Sequence, residues 1–144
     1  MESMKDFKRI LIPVDGSISS KNAAKKAIDL ARDTNIDIIA LHVIQEPDEI
    51  YPEFTTMYPD AVTLMKKEGN LLLDEIKKMG SKKGVEVKTK LVIGNPDQEI
   101  IKEADKNDLI VMGFKGKSSL KEILIGSVCQ KVLHHSKSSV MMIR

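Results

Sequence analysis

Short apolar runs alternate along the chain with longer segments of helical periodicity. Five of these runs are rich in Val, Ile, Leu or Met, at positions 9–14, 37–44, 86–93, 108–113 and 139–144. Four of the five are largely continuous in apolar residues, which is typical of strands that are covered on both faces. The pattern therefore predicts five strands, most of them buried in the middle of a layered domain.

The segments between the apolar runs carry hydrophobic residues at helical spacing. In the first of them, one side of the helix collects apolar and mostly small residues, at Ala23, Ala24, Ala27, Ile28 and Ala31. Small side chains there allow the helix to pack close to a sheet. The second predicted helix spans about 59–83, the third starts at Asn95 and Pro96, and the last runs from about Ser127 to His135.

Strands that alternate with helices predict right-handed crossovers and a parallel sheet. We therefore expect an α/β fold with an open five-stranded parallel sheet and helices on both faces. The chain has 144 residues, close to the commonest size of a single domain, and it shows no internal repeat or linker. A single domain over residues 1–144 is predicted.

One irregular insertion, at 45–60, lies between the second strand and the second helix. It holds three prolines and three of the five aromatic residues, Tyr51, Phe54 and Tyr58. A loop of this length is usually functional or mobile. Two interpretations stay open: an aromatic flap over the second helix or a neighbouring subunit, or a lid over a ligand.

The composition excludes several classes of protein. Hydrophobic residues make up 42% of the chain and charged residues 31%, and the net charge of +2 gives no general attraction to nucleic acid or to a membrane surface. The apolar runs are too short to cross a bilayer, and the N-terminus lacks the apolar stretch of a signal peptide, so we expect a cytoplasmic protein. The single cysteine, Cys129, is expected to be a buried small hydrophobe.

The strongest candidate for chemistry is the segment VMGFKGKSS, which starts at Val111. Its Gly-Lys-Ser matches the end of the phosphate-binding loop of nucleotide hydrolases, but that loop requires a glycine where this chain has Val111. What remains is a strand end with Gly113 and Gly116, followed by Gly126 and Ser127 at a predicted helix start. Glycines let backbone N–H groups approach an anion, and a helix N-terminus adds unpaired donors and partial positive charge.

Three lysines accompany these glycines, at Lys115, Lys117 and Lys121. Lysines alone are typical of a solvated face. Beside the glycines and the helix start, they favour binding of an anion such as phosphate.

Asp15 ends the first strand in the sequence PVDGS. Its carboxylate could accept hydrogen bonds from ribose hydroxyls or from an amino group. Capping of the following helix is the alternative, and Ser17 or Ser19 could supply that cap equally well.

The three histidines are not assigned to a site. His42 is interpreted as a partly buried side chain bonded to neighbouring backbone rather than as a catalytic base. His134 and His135 are adjacent, so on a helix they point about 100° apart and cannot share a metal ion.

The glycine spacing and its context resemble a known family. The pattern Gly113-x2-Gly116-x9-Gly126-Ser127, with ILIPVDGS, ALHVI, GNP, IVMGFKG and SVMMIR, is similar to the signature of the ATP-binding branch of the universal stress proteins. The resemblance covers the whole chain. It implies a Rossmann-like sheet of order 3-2-1-4-5, whose order reverses between the first and fourth strands, where Asp15 and Gly113 lie.

The resemblance also implies a cofactor, ATP, and its contacts. Asp15 would meet the adenosine part, the backbone of Val43 the adenine edge, and the glycines with Ser127 and the Val128 N–H the ribose and phosphates. The expected cofactor-binding residues are Pro13, Val14, Asp15, Val43, Met112, Gly113, Lys115, Gly116, Gly126, Ser127 and Val128. Mg²⁺ or Mn²⁺ would be held mainly by the nucleotide and water, since the sequence shows no dedicated metal ligands.

The function implied is that of a nucleotide-dependent regulatory or stress-response module acting as a homodimer. The final strand ends with the chain, so it should be a sheet edge, and pairing with a second copy would cover its backbone groups, as family members do. The alternative is a slow ATP hydrolase or adenylyl-transferring enzyme on the same fold. No catalytic residue is assigned, because the sequence offers no positioned base or charge clamp.

Overall fold

The computed structural model describes residues 6–45, 60–115 and 125–144. Within these residues five strands alternate with four helices. In chain order they are β1 Arg9–Pro13, α1 Ile18–Thr34, β2 Asp37–Ile44, α2 Ala61–Ser81, β3 Val87–Ile93, α3 Pro96–Glu103, β4 Asp108–Gly113, α4 Ser127–His135 and β5 Ser139–Ile143. The five strands and four helices match the predicted elements, with ends that differ by one or two residues.

The strands form one parallel sheet in the order β3-β2-β1-β4-β5. In the central register, Leu11 of β1 lies between Ile39 of β2 and Ile110 of β4. The α/β fold, the parallel sheet and the strand order predicted from the sequence are confirmed. Because the order reverses between β1 and β4, a crevice opens beyond their carboxyl ends.

Successive residues of the central strands point to opposite faces of the sheet, and each face has its own hydrophobic core. Ile10 and Ile12 pack with the alanines of α1 and with Leu73 and Ile76 of α2. On the other face, Leu11 and Ile110 pack with Ile100 of α3 and with Cys129 and Val132 of α4. The helices therefore cover both faces, as the continuous apolar strands predict.

Helix α1 packs against the sheet through its smallest side chains. Ala23, Ala24 and Ala27 are fully buried, and Ala31 is nearly so. These alanines allow a close approach between the helix axis and the sheet. The predicted apolar face of this helix is confirmed.

Two predicted helix starts differ in detail. Helix α2 begins at Ala61, inside the predicted span, and the side chain of its N-cap residue Asp60 makes no cap hydrogen bond. Asn95 is the N-cap of α3 and Pro96 its first residue, as predicted, but the Asn95 side chain makes no cap bond either. Residues 46–59 of the predicted insertion lie outside the described residues.

Helix α2 is the longest described helix. Its buried residues, Gly69, Leu73, Ile76 and Gly80, form one stripe, and its exposed residues are polar apart from Leu64 and Leu71. Among the described residues, no helix combines the length and the apolar character needed to cross a membrane.

An ion-pair cluster at the amino ends of β1 and β4 holds these two strands together. The Arg9 guanidinium contacts Asp108 Oδ2 at 2.8 Å and Glu103 Oε1 at 3.3 Å. The hydrogen bond to the buried Asp108 raises the pKa of Arg9, and partial burial opposes that effect. The registered pairing of β1 with β4 begins at this end, with Arg9 opposite Asp108, and runs to Leu11 opposite Ile110.

Candidate functional site

A cavity of about 280 Å³ lies beyond the carboxyl ends of the strands, where the strand order reverses. Ten of the eleven residues predicted to bind the cofactor line it: Pro13, Val14, Asp15, Val43, Met112, Gly113, Lys115, Gly126, Ser127 and Val128. The eleventh, Gly116, lies outside the described residues, as do Lys117 and Lys121. The fold thus brings together residues from four separate stretches of the chain.

Seven further lining residues escaped the sequence prediction: Ser17, Ser20, Leu41, Gln45, Pro96, Ile100 and Cys129. A signal for two of them was present, because the period of two along a strand places Leu41 and Gln45 on the same side as Val43. Pro96 and Ile100 lie one turn apart on α3. Neither carries a polar group that would mark it as a site residue.

One wall of the cavity is apolar. Leu41 and Val43 of β2 face Pro96 and Ile100 of α3 in the lining. These apolar side chains can pack on the face of an aromatic ring and leave the polar atoms at its edge free for hydrogen bonds. Gln45 directly follows β2 and is exposed.

Another part of the lining is the N-terminus of α4. Gly126 is its N-cap, and the Gln130 N–H donates to the Gly126 carbonyl at 2.9 Å, which starts the helix. The N–H groups of Ser127, Val128 and Cys129 therefore have no acceptor within the helix. All three residues line the cavity, so the positive end of the helix dipole faces it.

Both glycines make contacts that the sequence interpretation, in which they expose backbone N–H groups to an anion, did not include. The Gly126 N–H already donates to the Phe114 carbonyl at 2.8 Å. A Cβ on Gly113 would lie 2.5 Å from Ser19 Oγ and 2.7 Å from the Ser20 nitrogen. Gly113 therefore lets the start of α1 pack against the end of β4.

Asp15 closes a turn before α1 and is not the cap of that helix. Its Oδ1 accepts the Ser17 N–H at 2.9 Å, closing a turn in which Gly16 has a positive φ of 84°. The helix cap itself is Ser17, whose Oγ accepts the Ser20 N–H at 3.1 Å. The Asp15 side chain is exposed and lines the cavity, so its turn and a ligand contact are compatible.

His42 is bonded to backbone, as predicted. Its Nδ1 lies 2.7 Å from the Val14 carbonyl oxygen, and because a carbonyl only accepts, Nδ1 carries the proton. The ring packs on the far side from the cavity, since a Cβ on Gly69 of α2 would lie 2.7 Å from it. His134 and His135 are exposed in the last turn of α4.

Cys129 forms part of the cavity floor. It is 2% exposed, and burial raises the pKa of its thiol. The neutral thiol is therefore the favoured form at neutral pH, in line with its interpretation as a small hydrophobe. Within 6–45, 60–115 and 125–144, no group of three or more His, Cys, Asp or Glu side chains is placed to hold a metal ion.

The fold and the cavity together define a class of protein. An open parallel α/β sheet with a ligand cavity at the reversal of strand order, bounded by a helix N-terminus and an apolar wall, is typical of small-molecule-binding α/β domains. A model of the universal stress protein family matches residues 6–144. The chain belongs to the universal stress protein family, as its sequence motifs predict.

Three relatives illustrate the match. Universal stress protein MJ0531 of Methanocaldococcus jannaschii is 35% identical over 140 residues, which cover 96% of this chain and 82% of that protein. The solved structure of MJ0577, from the same organism, has a TM-score of 0.79 and 34% identity, covering 96% of both chains. A universal stress protein solved in complex with cAMP has a TM-score of 0.73 and 25% identity, covering 96% of this chain and 98% of that one.

Proposed function

We propose that this protein is a single nucleotide-binding domain of the ATP-binding branch of its family, in which occupancy by ATP regulates a homodimer. The N-terminus of α4 carries the proposal, because it brings first-turn N–H groups to a cavity that also has an apolar wall. The relative solved with cAMP supports an adenine nucleotide as the ligand class. A cytoplasmic location and the absence of nucleic-acid partners stay predictions from the sequence.

The geometry of β2 supports a role for the Val43 backbone at the adenine edge. The Leu41 carbonyl accepts the Val14 N–H at 2.9 Å, so the backbone groups of Leu41 face β1. Because alternate residues of a strand point their backbone groups to the same side, those of Val43 also face β1. The last registered pair of these strands is Pro13 with Leu41, so β1 leaves the Val43 groups facing the cavity.

The phosphates would lie at the N-terminus of α4. The N–H groups of Ser127 and Val128, the partial positive charge of the helix end and the Lys115 side chain are suited to a polyanion. Mg²⁺ or Mn²⁺ would be held mainly by the phosphates and water. Asp15 would accept hydrogen bonds from the ribose hydroxyls.

An Asp15→Asn variant separates the ligand role of this residue from its turn. Asparagine can still accept the Ser17 N–H, but it lacks the negative charge, so we expect its affinity for ATP and for adenosine to fall roughly tenfold, as for one lost hydrogen bond to a charged group. Isothermal calorimetry measures both affinities, with Asp15→Ala as the variant that loses the turn as well. Wild-type affinity in Asp15→Asn would show that the side chain serves only the turn.

Two measurements on the unmutated protein test the function itself. Freshly purified protein is denatured and the released small molecules are identified by mass, with an adenine nucleotide expected. Phosphate release is then followed at saturating ATP. A turnover near the enzyme median of about 10 s⁻¹ would favour the alternative, an ATP hydrolase.

The edges of the sheet support dimerisation through β5. Strand β3, at one edge, carries the exposed Lys88 and Lys90, which are typical of an edge protected against pairing. Strand β5, at the other edge, has no charged residue over Ser139–Ile143. A second copy of the chain would extend the sheet there.

A Met142→Pro variant is expected to be monomeric. The Ile143 carbonyl accepts the Phe114 N–H at 2.6 Å, so Ile143 faces β4 and the Met142 N–H points away from the sheet. Proline removes only this outward donor and is tolerated on an edge strand. Analytical ultracentrifugation compares it with the parent protein and with Lys90→Ala on the opposite edge, both expected to be dimers. A dimeric Met142→Pro protein with native circular dichroism would contradict the β5 interface.

A further inference from the structure

The Ser19 hydroxyl joins helix α1 to a residue that follows it by 96 positions. Ser19 Oγ accepts the Lys115 N–H at 3.1 Å and donates to the Lys115 carbonyl oxygen. Ser17 Oγ also donates to that carbonyl oxygen, at 3.3 Å. Both backbone polar groups of Lys115 are thus bonded to the start of α1.

Lys115 lies where three elements hold the chain after β4. The preceding residue, Phe114, donates its N–H to Ile143 of β5 at 2.6 Å and accepts the Gly126 N–H at 2.8 Å. These bonds attach the segment to β5 and to the start of α4. The Ser19 hydroxyl supplies the third attachment, to α1.

Packing holds Ser19 in place for this contact. Gly113, two residues before Lys115, leaves room for Ser19 directly against the end of β4. Ser19 does not line the cavity, whereas Lys115 does. An effect of the Ser19 hydroxyl on a ligand would therefore act through the Lys115 backbone groups that it bonds.

We propose that Ser19 is a positioning residue for the phosphate end of the cavity. Its hydroxyl fixes the position of the Lys115 backbone relative to the N–H groups of Ser127 and Val128. This inference rests on the proposed function. It predicts that Ser19 matters for ligands that carry phosphates and not for the nucleoside alone, whose proposed contacts are Asp15 and the wall formed by β2 and α3.

The test is a Ser19→Ala variant, with Ser81→Ala as the matched control. Both serines are helical and bond a backbone carbonyl, but Ser81 bonds the Lys77 carbonyl of its own helix and lies away from the cavity. Alanine is the best helix former, so the fold is expected to survive. Calorimetry measures the affinities for ATP and adenosine, and NMR measures hydrogen exchange at the Lys115 amide.

We expect Ser19→Ala to bind ATP roughly tenfold more weakly, because the variant loses both hydrogen bonds between Ser19 and the Lys115 backbone. Its affinity for adenosine should change less than about twofold. The Lys115 amide should exchange roughly fivefold faster or more, because its acceptor is gone. Ser81→Ala should match the parent protein in all three measurements.

Three results would overturn the inference. Unchanged ATP affinity in Ser19→Ala, when the parent protein binds ATP, removes the role of Ser19 and leaves the proposed function standing. An equal loss for ATP and adenosine shows a general structural role instead. Absence of ATP binding by the parent protein overturns the proposed function and the role of Ser19 with it.

Discussion

A Gly126→Val variant is expected to bind ATP at least about a hundredfold more weakly than the parent protein while keeping its fold, a loss of roughly 2.7 kcal/mol. The backbone at Gly126 has φ −63° and ψ 149°, an extended conformation that valine adopts without strain. Gly126 lines the cavity beside Ser127 and Val128, so the added side chain takes up volume at the proposed phosphate position. The branched group also hinders approach to the first-turn N–H groups of α4.

Calorimetry with ATP gives the affinity, and thermal unfolding checks the fold. The matched control is Gln130→Val, which adds a valine to the exposed side of the same helix and outside the cavity. We expect the control to bind ATP as the parent protein does. Full ATP affinity in a folded Gly126→Val protein would remove the N-terminus of α4 from the binding site.

A Gly113→Ala variant is expected to lose about 3 kcal/mol of unfolding free energy, at the upper end of the cost of overpacking. The added Cβ would lie 2.7 Å from both the Ser19 carbonyl carbon and the Ser20 nitrogen. These are backbone atoms of a helix whose alanines are buried against the sheet, so α1 cannot move away cheaply. ATP affinity should fall as well, because the start of α1 shifts relative to Lys115.

Urea denaturation measures the loss, with Gly84→Ala as the control. A Cβ on Gly84 meets no atom within 4 Å, but its φ of 73° is unfavourable for alanine, so strain alone should cost about 1–2 kcal/mol there. Gly113 is not among the described glycines with positive φ, so its cost comes from contact. If Gly113→Ala lost less unfolding free energy than Gly84→Ala, α1 would be able to move away from β4 at little energetic cost.

Gly113 and Gly126 belong to one sequence motif but meet different physical requirements. In the sequence, the spacing Gly113-x2-Gly116-x9-Gly126 indicates glycines with one shared role, which is to expose their backbone N–H groups. In the folded chain, Gly113 leaves room for the start of α1, and the Gly126 N–H donates to the Phe114 carbonyl. Among the described residues of this region, Ser127 and Val128, which do have side chains, also bring first-turn N–H groups to the cavity.

Several site residues could not be found from the sequence. Pro96 and Ile100 carry no functional group, and their place in the cavity follows from the position of α3 beside β2. Ser19 looked like one of two equivalent capping residues, but Ser17 is the cap and Ser19 bonds a residue 96 positions away. The identity of a long-range partner is not encoded in local periodicity.

The strands, the helices and the two-faced core could be predicted from the sequence, and the strand ends proposed to bind a ligand were chosen from it as well. This was possible because hydrophobic periodicity records which side of each element is buried, and because glycine and helix-start residues mark strand ends locally. The folded chain was needed to show that the N-terminus of α4 borders the cavity, that Gly113 makes room for α1, and that the Ser19 hydroxyl bonds Lys115. Those outcomes depend on distances between elements far apart in the chain, and they are set by the packing of α1 and α4 on the sheet.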